Sequence, residues 1–210
     1  MKILIVDDHA VVRQSLEYII HEEFPGAICV ESPDGDTCIN LLKKEDFDLV
    51  ILDMNLPDMD GISITEWILN RKPGQMILIF STSPTSIYAK KLYQMGIRGY
   101  LNKRTNLTEM ATALRTVLVD KKQYLDEEFK ELLAEDFFNP RSGGDPIAKF
   151  SARELSIAQL MANGKSYEEI ATQLNVESST IRTYKTRIFQ KLDVTTLHDF
   201  LNKAKLYKLV

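Results

Sequence analysis

Five short apolar runs alternate with five segments of helical length across the first 119 residues of this chain. The runs are Ile3–Val6, Ala27–Val30, Leu49–Leu52, Met76–Phe80 and Gly99–Leu101. Between and after them lie amphipathic stretches at about residues 10–22, 35–45, 61–71, 85–95 and 106–119. An apolar run of four or five residues reads as a strand buried on both faces. Strands alternating with helices require long crossovers and therefore a parallel sheet covered by helices on both sides. The expected fold is α/β: a doubly wound, flavodoxin-like domain with a five-stranded parallel sheet.

That reading gives meaning to the residues that follow the runs. Open α/β sheets bind ligands at the carboxyl ends of their strands. Asp7 and Asp8 follow the first run, Asp53 the third, Ser81 the fourth, and Lys103 follows Gly99-Tyr100-Leu101-Asn102. A lone aspartate after a strand is usually a cap or turn residue, and a lone lysine a solvated one. Three acids, a lysine and a serine at the ends of four strands of one sheet instead suit a hard cation and a phosphoryl group. Mg²⁺ takes oxygen ligands and keeps part of its shell for water and substrate. A cation beside a carboxylate also lets that carboxylate meet an anionic phosphoryl group as a nucleophile.

Residues 1–119 resemble a two-component receiver domain. The resemblance rests on Val6-Asp7-Asp8, Leu52-Asp53-Met54-Asn55-Leu56-Pro57 with Gly61, Phe80-Ser81, and Gly99-Tyr100-Leu101-Asn102-Lys103. It implies that Asp53 accepts a phosphoryl group from a sensor histidine kinase. It implies Mg²⁺ held by Asp8, Asp53 and the main-chain carbonyl of Asn55, with Asp7 acting through water. Lys103 would bind the phosphoryl group and Ser81 would swing its hydroxyl toward it. Tyr100 would follow by changing rotamer, repacking the face of the fourth helix and fifth strand. One position departs from the pattern: Arg104 stands where many receivers carry a cis proline. His9 reads as a helix-start residue rather than a metal ligand.

Residues 120–147 form a linker, with a short helix expected over Asp126–Phe137 and Phe129, Leu132 and Leu133 on one face. The run Asn139-Pro140-Arg141-Ser142-Gly143-Gly144-Asp145-Pro146 then lacks any hydrophobic residue. Residues 148–210 carry no strand signal and read as four short helices. Ser151 with Glu154, and Ser166 with Glu169, each match a capping box, and Gly164 supplies the turn between the two helices. The third helix starts near Ser178 or Ser179 and ends at Leu192; the fourth spans about Leu197–Tyr207. Ile181, Ile188 and Leu192, with Tyr184 between them, form a stripe that leaves Arg182, Thr183 and Thr186 outward. The net charge of −4 conceals a basic tail, +4 over residues 147–210, behind an acidic front of −8. A cationic helix face draws phosphates, and arginine with small hydroxyls can read base edges.

The segment Phe150–Leu192 resembles the helix-turn-helix of the LuxR/NarL class. The matches are Ser151 with Arg153-Glu154, Gly164 with Ser166, Glu169-Ile170-Ala171, Leu174, Val176, Thr180-Ile181-Arg182 and Lys191-Leu192. Double-stranded DNA is the implied partner, with Arg182, Thr183 and Thr186 toward bases. Lys185, Tyr184 and Lys191 would lie near the DNA backbone or support the helix, and Lys165 and Ser166 would be further phosphate contacts. Departures occur at Glu177, where Ser or Thr usually caps and Ser178 can take over, and at Tyr184, Asp193 and Leu197. Leu197, Phe200, Leu201 and Leu206 suit either a dimer contact or closure of the tail's own core.

The chain is thus read as a phosphorylation-dependent transcription regulator of the LuxR/NarL response-regulator class, a homodimer when phosphorylated, and not a turnover enzyme. Two alternatives stand beside it. A Mg²⁺-dependent aspartyl-phosphate phosphatase would need an acid two residues after the nucleophile, where this chain has Asn55. A regulator governed by protein contacts alone would have no use for the full acid set. No apolar run reaches 18 residues, and the apolar stretch after Met1-Lys2 is too short for a signal peptide. A soluble cytoplasmic protein with reduced Cys29 and Cys38, the former buried in a strand, is expected.

Overall fold

A computed structural model of the chain describes residues 1–82, 85–138, 146–174, 176–207 and 209. It divides into two compact units, Met1–Ala134 and Glu135–Val210.

In the first unit the strands β1 (Lys2–Val6), β2 (Ile28–Ser32), β3 (Leu49–Leu52), β4 (Ile77–Ser81) and β5 (Gly99–Asn102) form one sheet in the order β2-β1-β3-β4-β5. Every pairing is parallel. Helices α1 (Ala10–Glu23), α2 (Gly35–Lys44), α3 (Gly61–Arg71), α4 (Thr85–Met95) and α5 (Leu107–Leu118) alternate with the strands. Burial explains why the apolar runs are continuous: Ile3, Leu4 and Ile5 of β1 and all four residues of β3 are at most 1% exposed. The α1–α5 side of the sheet closes over Ile3, Ile5, Ile51 and Leu78 with Leu16, Ile20, Leu114 and Val117. Polar caps set the helix starts. Asp34 accepts the Thr37 amide, Asp60 the Ser63 amide and Asn106 the Glu109 amide.

β2 is an edge strand, so its burial differs from expectation. Cys29 is only half-buried there, while Cys38 on α2 is fully buried. Both thiols are free; burial, with nearby carboxylates, pushes Cys29 up to about 11 and Cys38 up to about 12. Beyond α5, the helix α6 spans Glu127–Phe138. Its first turns belong to the first unit. Phe129 is buried, but Leu133 is 41% exposed, so the expected three-residue apolar face is narrower than its pattern.

The second unit has a 3-10 turn at Pro146–Lys149 and then α7 (Ala152–Ala162), α8 (Tyr167–Gln173), α9 (Ser178–Leu192) and α10 (Leu197–Leu206). Both capping boxes form. Gly164 takes φ +79 in the turn between α7 and α8, where a side chain would be strained. The core joins Phe150, Ile157, Ile170, Ile181 and Ile188 to Phe189 and Phe200, whose rings stack at 5.5 Å. Phe200 therefore closes the domain's own core, while Leu197 and Leu206 remain exposed. Asn139–Asp145, most of the proline- and glycine-rich run, lies outside the described residues.

Candidate functional site

Strand register assembles the first site. Val6 pairs with Leu52 across β1 and β3, and the Asp53 amide donates to the Val6 carbonyl at 2.9 Å. Asp7 and Asp53 therefore emerge side by side from the two central strands. Ser81 pairs with Asn102 across β4 and β5, and the Lys103 amide donates to the Ser81 carbonyl at 2.8 Å. Four strand ends thus deliver their side chains to one edge. Gly61 closes the loop after β3: a Cβ there would lie 2.8 Å from the Asp53 carbonyl oxygen and 2.7 Å from the Met54 Cα. Only glycine allows that approach.

Charge is concentrated at this edge. Lys103 Nζ lies 2.6 Å from Asp7 Oδ2 and 2.7 Å from Asp53 Oδ2. The three side chains are 13%, 2% and 4% exposed respectively. Burial pulls the Lys103 ammonium down, but its hydrogen bonds to Asp53 and Asp7 outweigh that and leave it raised. The second Asp53 oxygen, Oδ1, is buried and accepts no hydrogen bond in the structure. A buried carboxylate oxygen without a donor is costly unless something else fills its place.

The remaining predicted residues take the following positions. Asp8 is half-exposed at the rim, with its Oδ1 2.6 Å from His9 Nδ1. His9 precedes α1 as expected, but its side chain caps no amide; the ring sits on Asp8 instead. Asp7, Asp8 and His9 bring ligand atoms within 4.8 Å of one another, and Asp53 is tied to Asp7 through the shared Lys103 ammonium. Asn55 is exposed, and its Nδ2 reaches the buried Ser81 Oγ at 3.5 Å. The Tyr100 side chain is fully buried, turned into the domain. At Arg104 the loop is an Asx turn: the Arg104 amide donates to Asn102 Oδ1 at 2.9 Å, and the Thr105 amide to the Asn102 carbonyl. The oxygen-rich donor set, with the orphaned Asp53 Oδ1, fits a hard divalent cation.

In the second unit α9 buries Ile181, Ile188, Phe189 and Leu192. Phe189 escaped the sequence stripe because it sits one residue beyond Ile188. Arg182, Thr183 and Thr186 are exposed together. The two threonine hydroxyls donate to the carbonyls of Ser179 and Arg182 one turn back, leaving their lone pairs outward. Lys185 is half-buried, its Nζ 4.9 Å from the Phe189 ring centre. Lys191 is half-buried against its own domain, 2.5 Å from Glu154 Oε2, and donates to the Lys149 carbonyl at 2.9 Å. Ser166 spends its hydroxyl on the α8 cap. Ser178 does not take over as a cap; Glu177 precedes α9 and makes no side-chain cap bond. Arg153 was unassigned from sequence: it donates to the Leu174 carbonyl at 2.7 Å and closes the end of α8. Asp193 ends α9 in the left-handed region at φ +50.

Residues 3–115 match the model of the response regulator receiver domain, and residues 148–204 that of the luxR family of bacterial regulatory proteins. This chain is a response regulator of the LuxR/NarL class. The regulator is 28% identical over 196 residues to response regulator GacA of Pseudomonas aeruginosa, covering 93% of this chain and 91% of that one. It is 29% identical over 204 residues to BvgA of Bordetella pertussis, a putative positive transcription regulator of virulence factors, covering 97% and 96%. Among solved structures it resembles RcsB from Salmonella enterica serovar Typhimurium, bound to promoter rprA in the presence of phosphomimetic BeF3-. That match has TM-score 0.65 and 25% identity, covering 96% and 97% of the two chains. The regulator is a DNA-binding transcription regulator that couples a receiver to a helix-turn-helix domain. Among the described residues, no helix is long and apolar enough to cross a membrane.

Proposed function

We propose that Asp53 is the phosphoacceptor and that its phosphorylation by a sensor histidine kinase controls DNA binding by α9. The observation that carries this reading is the buried Asp53 carboxylate, with one oxygen on Lys103 and the other without a donor. An Asp53 oxygen attacks phosphorus as the bond to the donor's histidine nitrogen breaks, and that nitrogen recovers a proton. Lys103 already stands where it can pair with an incoming phosphoryl oxygen. Ser81, which ends the neighbouring strand β4, is assigned to another phosphoryl oxygen. Mg²⁺ would be held by Asp8, Asp53 and the Asn55 carbonyl, with Asp7 acting through water; when bound, it neutralises the charge that otherwise repels a phosphoryl group. The acceptor is a switch whose covalent state is read, not a turnover catalyst.

Arg182, Thr183 and Thr186 are assigned to base edges and Lys185 to the phosphate backbone. Lys191 is better explained as the internal partner of Glu154. A phosphorylated homodimer would place two α9 helices on neighbouring half-sites. Acetyl phosphate with Mg²⁺ is expected to add one phosphoryl mass to the intact protein, and Asp53→Asn to abolish it. Undiminished labelling of Asp53→Asn would overturn the assignment. Rapid multiple turnover of a small phosphomonoester would favour a phosphatase.

A further inference from the structure

One cluster of metal-ligating side chains lies away from the carboxyl edge of the sheet. Glu17 and His21 stand one turn apart on α1, and Cys29 lies on β2. Positions four apart share one helix face. Cys29 pairs with Ile3 and packs on the core that holds Ile3, Leu16 and Ile20, so its thiol is on the α1 side of the sheet. β2 is the outermost strand, and the groove between it and α1 opens to solvent: His21 is exposed, and Glu17 and Cys29 are half-buried. The Glu17 carboxylate, the His21 ring and the Cys29 sulfur bring ligand atoms within 4.8 Å of one another. Further along the same groove Arg13 takes up Glu31, with Nε 2.6 Å from Oε2, and donates to the Asp7 carbonyl at 2.7 Å. Among the described residues no hydrogen bond or ion pair takes up the Glu17 carboxylate or the His21 ring in that way.

The makeup of the cluster selects the ion. Sulfur, imidazole nitrogen and carboxylate oxygen together suit a borderline-soft divalent ion such as Zn²⁺. Mg²⁺ takes oxygen ligands, so this cluster is chemically distinct from the candidate phosphoryl site. Ligand atoms on a tetrahedral ion with bonds of about 2.0–2.3 Å lie about 3.3–3.8 Å apart. Side-chain rotation by roughly 1 Å closes the set, and His21, at the helix surface, has room to make it. Without an ion the Cys29 thiol stays protonated, held up to about 11 by burial and then by Glu17 and Glu31. A dication among these carboxylates reverses that bias: sulfur binds as the thiolate and its proton leaves to water.

We propose that Glu17, His21 and Cys29 form a three-ligand site for a divalent cation of the zinc class, with water in the fourth position. The ion bridges α1 to the edge strand β2, beside the Arg13–Glu31 pair that already joins them. The site does not depend on the reading of Asp53 as phosphoacceptor.

Titration of the reduced full-length chain with Co²⁺, in the presence of millimolar Mg²⁺, tests the site. A sulfur-to-cobalt charge-transfer band is expected to saturate at one ion per chain and to be erased by Zn²⁺. The band requires a cobalt–sulfur bond, so ions on Asp7, Asp8 and His9 do not contribute to it. Cys29→Ser should abolish it, because Cys38, the only other cysteine, is fully buried. His21→Gln and Glu17→Gln leave the thiol and the core in place. Loss of even an outer partner of a metal ligand costs about 10–100-fold in affinity, so each should weaken Co²⁺ binding by roughly ten-fold or more. Absence of the band in the wild type, or its survival in Cys29→Ser, would overturn the site. Unchanged affinity in both His21→Gln and Glu17→Gln would overturn it as well, because the thiolate would then bind the ion without them.

Discussion

Replacing Lys103 with methionine removes the cation that two buried carboxylates share. Asp7 and Asp53 are 1% and 4% exposed, and each has an oxygen within 2.7 Å of the Lys103 ammonium. Breaking a buried pair by removing one partner costs about 3–5 kcal/mol. Protonation offers an escape that sets an upper limit. Neutralising a carboxyl of ordinary acidity at pH 7 costs about 1.4 kcal/mol per pH unit over roughly three units, or about 4 kcal/mol. At pH 5 the same escape costs only about 1.5 kcal/mol. Lys103→Met should therefore lose about 3–4 kcal/mol at pH 7 and about half that or less at pH 5. For a domain of this size each kcal/mol moves the melting temperature by roughly 3–6 °C. Urea unfolding of the first unit's signal at both pH values, with EDTA and with millimolar Mg²⁺, tests this. The loss should shrink at pH 5 and in Mg²⁺, because a proton or a second cation takes the place of the ammonium. An equal loss under all four conditions would mean that Lys103 acts through packing, and would refute the electrostatic account.

Other consequences can be checked in the second unit. Burial pushes the Glu154 carboxyl up, but Lys191 and the Ser151 amide outweigh it and hold it low. The stability it contributes is complete above the ordinary glutamate value of 4.5 and is lost as pH falls through its depressed folded value. Lys191→Met should be destabilising near neutral pH by about 1–3 kcal/mol, discounted from a fully buried pair because Lys191 is partly solvated, and should flatten the acid limb of a melting curve. Asp193→Gly should stabilise the unit by roughly 0.5–1 kcal/mol in thermal melts, since φ +50 suits glycine. Arg182→Ala should weaken DNA retention by about 1–3 kcal/mol in anisotropy titrations while leaving the helical circular dichroism unchanged.

The alternation of apolar runs was enough to define the sheet, because strands buried on both faces cannot hide their pattern. The edge strand was harder. Cys29 sits in an apolar stretch yet is half-solvated, since which strand lies outermost is a tertiary fact. The residues of the candidate phosphoryl site could be named from the strand ends they follow. Their sharing of Lys103 could not, because it depends on the register of Val6 against Leu52 and of Ser81 against Asn102. In the tail, the starts of α7 and α8 were written in the capping boxes. The Glu154–Lys191 pair was not legible: its partners are far apart in sequence and Glu154 already had a local role as a cap. The contact of Tyr93 with Tyr124 escaped for the same reason, since the two carry no pattern until Tyr124 lies beside Gly99 of β5.

The central claim is that phosphorylation at Asp53 controls DNA binding by the second unit. The full-length protein can be offered a pool of random-sequence duplex DNA, with and without acetyl phosphate and Mg²⁺, and the retained fraction measured alongside the intact protein mass. The account predicts that retention rises with the labelled fraction, and that Asp53→Asn shows neither. Full labelling at Asp53 with unchanged retention would contradict it.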